Sequence, residues 1–223
     1  MANDIQNFIK QIPLVTRSYI GAAIIVSIVT SFKFVSPYKL AHLWPLTLNK
    51  LQLWRPFTSF VYFGSIGLNF LFTLVFFFRY SKSLEEVTFK NDAKTFSFLY
   101  LFVFVSVLLI SIIIPLPFSS EILRESITYL YSRYNPEARV AFLGLFNCPA
   151  KYLPLVTVLM SFLSGESLFN SMLGIIIGHI YFYFMSLARN SWLQKCEDKF
   201  VKLFEFRRTE TVRTFSGNAR HLE

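Results

Sequence analysis

Apolar residues along this chain gather into long runs separated by short polar or charged stretches. The runs predict six membrane spans, over residues 18 to 35, 58 to 78, 95 to 114, 119 to 133, 149 to 164 and 168 to 188. A hydrocarbon core of ~30 Å takes about 20 apolar residues to cross as a helix. A membrane β-barrel would instead show ~10-residue stretches of strict alternation. Phe96 to Ile114 do not alternate, so the expected fold is an all-α membrane bundle of six helices, residues 1 to 188.

The intervening segments have distinct characters. Residues 36 to 56 are too interrupted by proline and lysine to cross a bilayer and too apolar to float in water. Tyr38, Trp44 and Trp54 suit the headgroup boundary, where Lys39, Lys50 and Arg55 can snorkel. This first loop is expected to lie amphipathically in the lumenal leaflet. In the fourth span, Glu121, Arg124 and Glu125 share one helical face, and they are read as a charge set pairing near the membrane surface, with an inward-facing set as the alternative. The fifth span is short: the twelve residues from Tyr152 to Leu163 rise only ~18 Å, so the bilayer must thin around it. Residues 189 to 206 place Trp192, Cys196, Phe200 and Leu203 at helical spacing, which predicts a juxtamembrane interfacial helix. Residues 207 to 223 read as a disordered cytosolic tail.

Charge and composition narrow the class. With 54% hydrophobic residues and 27 Phe among 223, the chain is too apolar for a soluble domain of its size. Only Lys33, Lys39, Lys50, Arg55 and Arg124, five of 22 basic residues, fall on the side opposite the amino terminus. The positive-inside rule then puts both termini in the cytosol. The net charge of +9 needs no nucleic acid, because that bias and attraction to anionic lipid account for it. The first run ends in Lys33 and Phe34 rather than in a small-residue cleavage site, so it is expected to stay as a span. Cys148 and Cys196 both fall in cytosolic segments, where a disulfide is not expected. His42, His179 and His221 lack ligand spacing, and neither a metal nor any other cofactor is expected.

Two motifs carry more information. Gly174 and Gly178, four apart in the sixth span, share one helix face and let a neighbour approach closely. His179 beside them is expected to make a structural hydrogen bond or to line a hydrophilic groove. The first loop holds Gln52, Trp54, Arg55 and Thr58 as Q-x-W-R-x-x-T. Together with six spans and the paired glycines, this resembles the rhomboid superfamily. Proteases of that family hold a serine in G-x-S-G within the fourth span, and a histidine three residues before the first glycine of the sixth. Here G-x-S-G occurs nowhere, and the histidine position is Ser171. His179 lies eight residues past it, ~12 Å along the axis. An alcohol without a base is a poor nucleophile, so the chain is expected not to be an enzyme.

A closer resemblance is to the derlins, rhomboid pseudoproteases of the endoplasmic reticulum. It rests on I-P-L-V-T-R from Ile12, F-G-S-I-G-L-N-F-L-F at 63 to 72 and R-Y-S-K-S-L-E-E at 79 to 86. Y-S-R-Y-N-P-E-A-R at 131 to 139, F-L-G-L-F-N at 142 to 147 and G-H-I-Y-F-Y-F at 178 to 184 continue it. The resemblance implies a multi-pass protein of that membrane acting in endoplasmic-reticulum-associated degradation. Misfolded proteins would be recognised, moved through a thinned membrane and handed to the cytosol. A membrane ubiquitin ligase complex is the implied partner, with homo- or hetero-oligomers as possible assemblies. Trp54 and Arg55 would fix the first loop against the bundle. The tail segment FSGNARHLE resembles the box with which some derlins recruit the AAA+ unfoldase valosin-containing protein. Phe215, Ser216, Gly217 and Leu222 match it, while Ala219 and Glu223 depart from it. The alternatives are a membrane chaperone without a translocation path and a rhomboid protease with a displaced active site.

Overall fold

The computed structural model describes residues 11 to 142, 146 to 187 and 192 to 204. Helix α1 spans Leu14–Ser31. Three short helices, α2 (Pro37–Leu40), α3 (Trp44–Asn49) and α4 (Arg55–Val61), build the first loop. Helices α5 (Leu68–Ser83), α6 (Ala93–Ser111) and α7 (Ser120–Tyr134) follow. Helices α8 (Leu153–Leu163) and α9 (Leu168–Phe182) come next, α9 running on as a π-turn over Tyr183–Leu187. Helix α10 covers residues 192 to 204. The protein is mostly helical, and Leu14–Ser31, Ala93–Ser111 and Leu168–Ser186 are long and apolar enough to cross a membrane.

Two expectations need correcting. The second span, expected over 58 to 78, is two helices: α4 stops at Val61 and α5 starts at Leu68. Between them Gly64 sits at φ 103°, a conformation that a Cβ resists. The apolar flanks hide this break from a hydropathy count. The bundle is also not purely helical. Arg139–Phe142 (β1) pairs antiparallel with Phe146–Pro149 (β2), setting Val140 opposite Cys148, and Val140 is wholly buried. In α10, Trp192 and Leu203 are exposed, while Leu193 is buried and Phe200 packs on Phe98.

Helix α7 is the axis of the molecule, packed by α4, α5, α6, α8 and α9. It is also the most polar of the long helices, burying Ser120, Arg124, Glu125, Ser126, Thr128 and Ser132 beside Ile122, Leu123, Ile127 and Leu130. Lipid offers no hydrogen bonds, so polar side chains in a membrane bundle face its interior. Hydrophobicity therefore runs outward, with Ile25, Leu71, Leu109 and Leu155 exposed on the rim.

At one end the N-terminal helices are bound together by a single carboxylate. Pro13 precedes α1 and offers no capping side chain. Glu85, on the π-turn that continues α5, accepts instead from Val15 N (3.0 Å), Thr16 N (2.8 Å) and Thr16 Oγ1 (2.7 Å). Those amides are the unpaired donors of a helix's first turn, where negative charge is favoured by the backbone dipoles. Ser81 adds hydrogen bonds to Thr16 and Tyr100, both 2.9 Å, tying α1, α5 and α6 together.

Candidate functional site

The two short-range motifs occupy different places. In the first loop, Arg55 Nε donates to Gln52 Oε1 (2.5 Å), and its Nη1 donates to Tyr38 O (2.9 Å) and Ala41 O (2.8 Å). Thr58 Oγ1 reaches Leu40 O at 3.1 Å. Arg55, Gln52 and Thr58 thus clamp the turn around α2, and Trp54 stays exposed. Ties from this loop to the bundle include Trp44 Nε1 donating to Ser111 Oγ on α6 at 2.9 Å and His42 N donating to Pro117 O at 2.9 Å. Nothing in the spacing of residues 44 and 111 marks them as partners.

Gly174 and Gly178 both face α7. A Cβ on Gly174 would meet Ile122 O at 2.6 Å and Glu125 Cβ at 2.7 Å, and one on Gly178 would meet Ser126 O at 3.1 Å. Ser126 Oγ donates to Gly174 O at 2.8 Å across this seam. His179 Nδ1 lies 2.6 Å from Tyr129 Oη on an exposed face. The loop motif and the α9 glycines are not brought together. Phe215, Ser216, Gly217 and Leu222 lie outside the described residues.

What the structure does assemble is a groove beside the polar helix α7, apolar over most of its wall with hydroxyls set among Phe72, Phe76 and Met160, that sequence reasoning did not find. Helices α5 and α8 both lean on α7 without forming a seam with one another. Between them lies a cavity of about 90 Å³ lined by Thr73, Phe76, Thr128, Thr157, Met160 and Ser161, among others. A second depression of about 200 Å³, toward Tyr62, Phe63 and Gly64, shares Asn69, Arg124 and Glu166 with it. The two hollows adjoin at these three side chains.

The charges of α7 sit at this junction rather than at the surface where the sequence put them. Glu125 is fully buried and Arg124 nearly so. The Arg124 guanidinium donates to Glu166 Oε2 (2.7 Å), Glu166 Oε1 (3.3 Å), Ser161 Oγ (2.8 Å) and Glu125 Oε1 (3.2 Å). Thr157 Oγ1 donates to Glu125 Oε2 (2.7 Å), and Asn170 Nδ2 donates to Glu121 Oε2 (2.9 Å). Burial favours keeping these charges matched, because an unpaired ion in an apolar bundle is costly. Burial pushes the Glu166 carboxyl up, but hydrogen bonds and charge from Arg124 outweigh it and hold the group below its ordinary range. The only cue in the sequence was polarity: α7 carries too many charges and hydroxyls for a lipid-facing span.

Alcohols also meet the His42 imidazole, where Thr47 Oγ1 lies 3.4 Å from Nδ1. Ser111 Oγ lies 3.4 Å from His42 Nε2, but it donates to Leu108 O (2.7 Å) and accepts from Trp44 Nε1 (2.9 Å). Both residues are buried, and a hydroxyl committed in this way is not poised for attack on a carbonyl. Ser171, at the position where the related proteases carry histidine, is buried and bonds Ser167 O.

Apolar helices around a polar central helix define a helical multi-pass membrane protein with buried polar groups at its axis. Residues 12 to 205 match the Der1-like family, and the chain belongs to it. It is similar to derlin-2.1 of Arabidopsis thaliana, 36% identical over 194 residues, covering 82% of this chain and 80% of that protein. A probable derlin-2 homolog of Dictyostelium discoideum is 32% identical, covering 82% and 75%. Derlin-1 of Caenorhabditis elegans is 29% identical, covering 81% and 75%. Membership points to a role in endoplasmic-reticulum-associated degradation.

Proposed function

We propose that this protein is a non-catalytic component of retrotranslocation, crossing the endoplasmic reticulum membrane six times with both termini in the cytosol. The observation that carries the reading is the groove between α5 and α8. Thr73, Thr128, Thr157 and Ser161 stand among Phe72, Phe76 and Met160 in its wall, with Arg124 and Glu166 at one end. A misfolded segment moving through lipid exposes backbone and polar side chains that hydrocarbon cannot satisfy; hydroxyls and charges set in an otherwise apolar wall lower that cost. The eleven residues of α8 rise only ~16 Å, about half a hydrocarbon core, which supports a locally thinned bilayer beside the groove. In this orientation the end holding the first loop and the Arg124 cluster is lumenal, and the Glu85 junction is cytosolic.

The serine and histidine positions of the related proteases are empty of that chemistry, so substrate is passed on intact. Force would come from a cytosolic AAA+ unfoldase engaging the tail at Phe215 and Leu222, alongside a membrane ubiquitin ligase. Photo-crosslinking tests the reading. A probe at Thr73 or Met160 should capture a stalled lumenal substrate at least several-fold better than one at lipid-facing Leu71 or Leu155. Equal capture at all four positions overturns it.

A further inference from the structure

Two arginines are buried in this molecule in opposite company. Arg124 sits among carboxylates, with Glu166 at 2.7 Å and Glu125 at 3.1 Å. Arg55 of the first loop is 6% exposed, yet no acidic residue occurs between Asp4 and Glu85, and it has no carboxylate partner among the described residues. Its partners are neutral: Nε donates to Gln52 Oε1, and Nη1 donates to the carbonyls of Tyr38 and Ala41. Among the described residues Nη2 makes no hydrogen bond, and it is not sealed away from solvent. Arg55 forms part of the wall of a depression of about 500 Å³, together with Val35, Lys39, Leu40, Gln52 and Trp54. Lys39 is exposed there, and its ammonium makes no ion pair or hydrogen bond among the described residues. Two cations without a counter-charge thus face one hollow. A buried guanidinium left without an anion is costly.

We infer that this hollow is a phospholipid headgroup site, in which the phosphodiester of one lipid docks between Arg55 Nη2 and the Lys39 ammonium. With Nε and Nη1 committed to the loop, Arg55 keeps Nη2 for one phosphate oxygen, and Lys39 supplies a mobile point charge for another. The surroundings fix the source of the phosphate. Val35 and Leu40 make part of the wall apolar, and Tyr38, Leu53 and Trp54, at or next to the lining positions in the chain, are exposed. Aromatic rings of this kind settle at the level of lipid headgroups. Acyl chains gain from such apolar surface, whereas a free phosphate ion does not. The bound lipid also braces the loop, because Lys39 belongs to α2 and Arg55 to α4. The site requires only that the first loop lie at a leaflet surface, so it stands or falls apart from substrate passage.

The test uses the full chain in a phosphate-free detergent, with Trp44→Phe and Trp192→Phe leaving Trp54 as the sole tryptophan. Neither replaced residue lines the hollow. Phosphatidylcholine with brominated acyl chains should quench Trp54 emission saturably. Half-quenching should come at a concentration about tenfold below that of diacylglycerol with the same chains. Lys39→Glu should raise the phosphatidylcholine concentration needed by about tenfold, since it sets like charge against the phosphate. Lys39→Arg should leave it near the native value. Lys39 is the residue to change because its exposed ammonium holds nothing in the fold, so a lost response is not a lost loop. Inorganic phosphate at millimolar concentration should not relieve the quenching; relief makes this a site for free phosphate and overturns the lipid assignment. Equal quenching by diacylglycerol and phosphatidylcholine, or a Lys39→Glu curve that overlays the native one, overturns the site itself.

Discussion

The two sides of α7 are built on opposite plans. Toward α9 the helices are pressed together: Gly174 and Gly178 remove their side chains, and a hydroxyl of one helix bonds the backbone of the other. Toward α5 and α8 a cavity of about 90 Å³ remains, and its walls carry threonine, serine, Arg124 and Glu166 among Phe72, Phe76 and Met160. Close backbone contact replaces the missing hydrophobic drive between membrane helices, so the first side is a permanent joint. The second places the Arg124–Glu166 pair and several hydroxyls beside a cavity.

The largest effect should come from disturbing the charge on the open side. Arg124→Leu leaves Glu125 and Glu166 buried without their cation, which costs about 3–5 kcal/mol. Thermal unfolding in detergent should show a loss of that order. Arg124→Lys should recover only part of it, since one ammonium cannot span Glu125, Ser161 and Glu166 as the forked guanidinium does. An unchanged Arg124→Leu melting curve would mean that the cluster is not a keystone of the bundle.

Next in size is the joint itself. Gly174→Ala sets a methyl 2.6 Å from Ile122 O, backbone that cannot turn aside, and overpacking of this kind costs about 1–3 kcal/mol. Gly178→Ala meets its nearest neighbour at 3.1 Å and should cost less. On the open side Thr73→Val, nearly the same size and facing the cavity, should cost under about 1 kcal/mol. If Gly174→Ala and Thr73→Val are equally mild, the contrast between the two sides fails.

A smaller effect concerns the loop above both sides. Burial, and then the nearby Arg55 charge, hold the His42 imidazole below its ordinary value of 6.5. The loop therefore packs around the neutral ring. Its stability is full above about pH 6.5 and falls as acid protonates the unfolded form first. Trp44 emission in a Trp54→Phe, Trp192→Phe background should shift as pH drops from 7 toward 5. His42→Asn should flatten that response. A response that persists in the variant assigns the titration to another group.

How much of this was legible in the sequence depends on the range of the signal. The mostly helical character of the chain is a local pattern and reads correctly, and Gly174 and Gly178, expected to admit a neighbour, face α7 closely. The break at Gly64 was misread because apolar flanks outweighed two glycines. The charges on α7 were assigned to the surface because a lone segment does not reveal that Glu166, some forty residues on, supplies the counter-charge. The groove joins Asn69, Arg124 and Glu166 from three separate segments, and no periodicity relates them. The acidic residue of R-Y-S-K-S-L-E-E marked family resemblance, yet only packing shows Glu85 as the missing cap of α1.

The faintest expected effect lies where α10 meets the bundle, and it too separates a fixed contact from a yielding one. Leu193 and Phe200 dock apolar surface against the helices, whereas Glu197 lies between them with Oε1 buried and without a hydrogen-bond partner among the described residues. Burial first, then the charges of Asp198 and Asp92, push this carboxyl up to about 7. A raised acid pKa means that the docked state holds its proton more tightly than the undocked one. Docking is then strongest below about pH 4.5 and weakens as pH climbs through 7. Hydrogen exchange of the 192 to 204 amides should accordingly quicken between pH 6 and 8 beyond the intrinsic rise. Glu197→Gln, which keeps the shape and removes the charge, should abolish that excess and slow exchange at pH 8. If exchange in the variant still accelerates as in the native chain, the apolar contacts alone set the docking and α10 belongs with the fixed parts of the molecule.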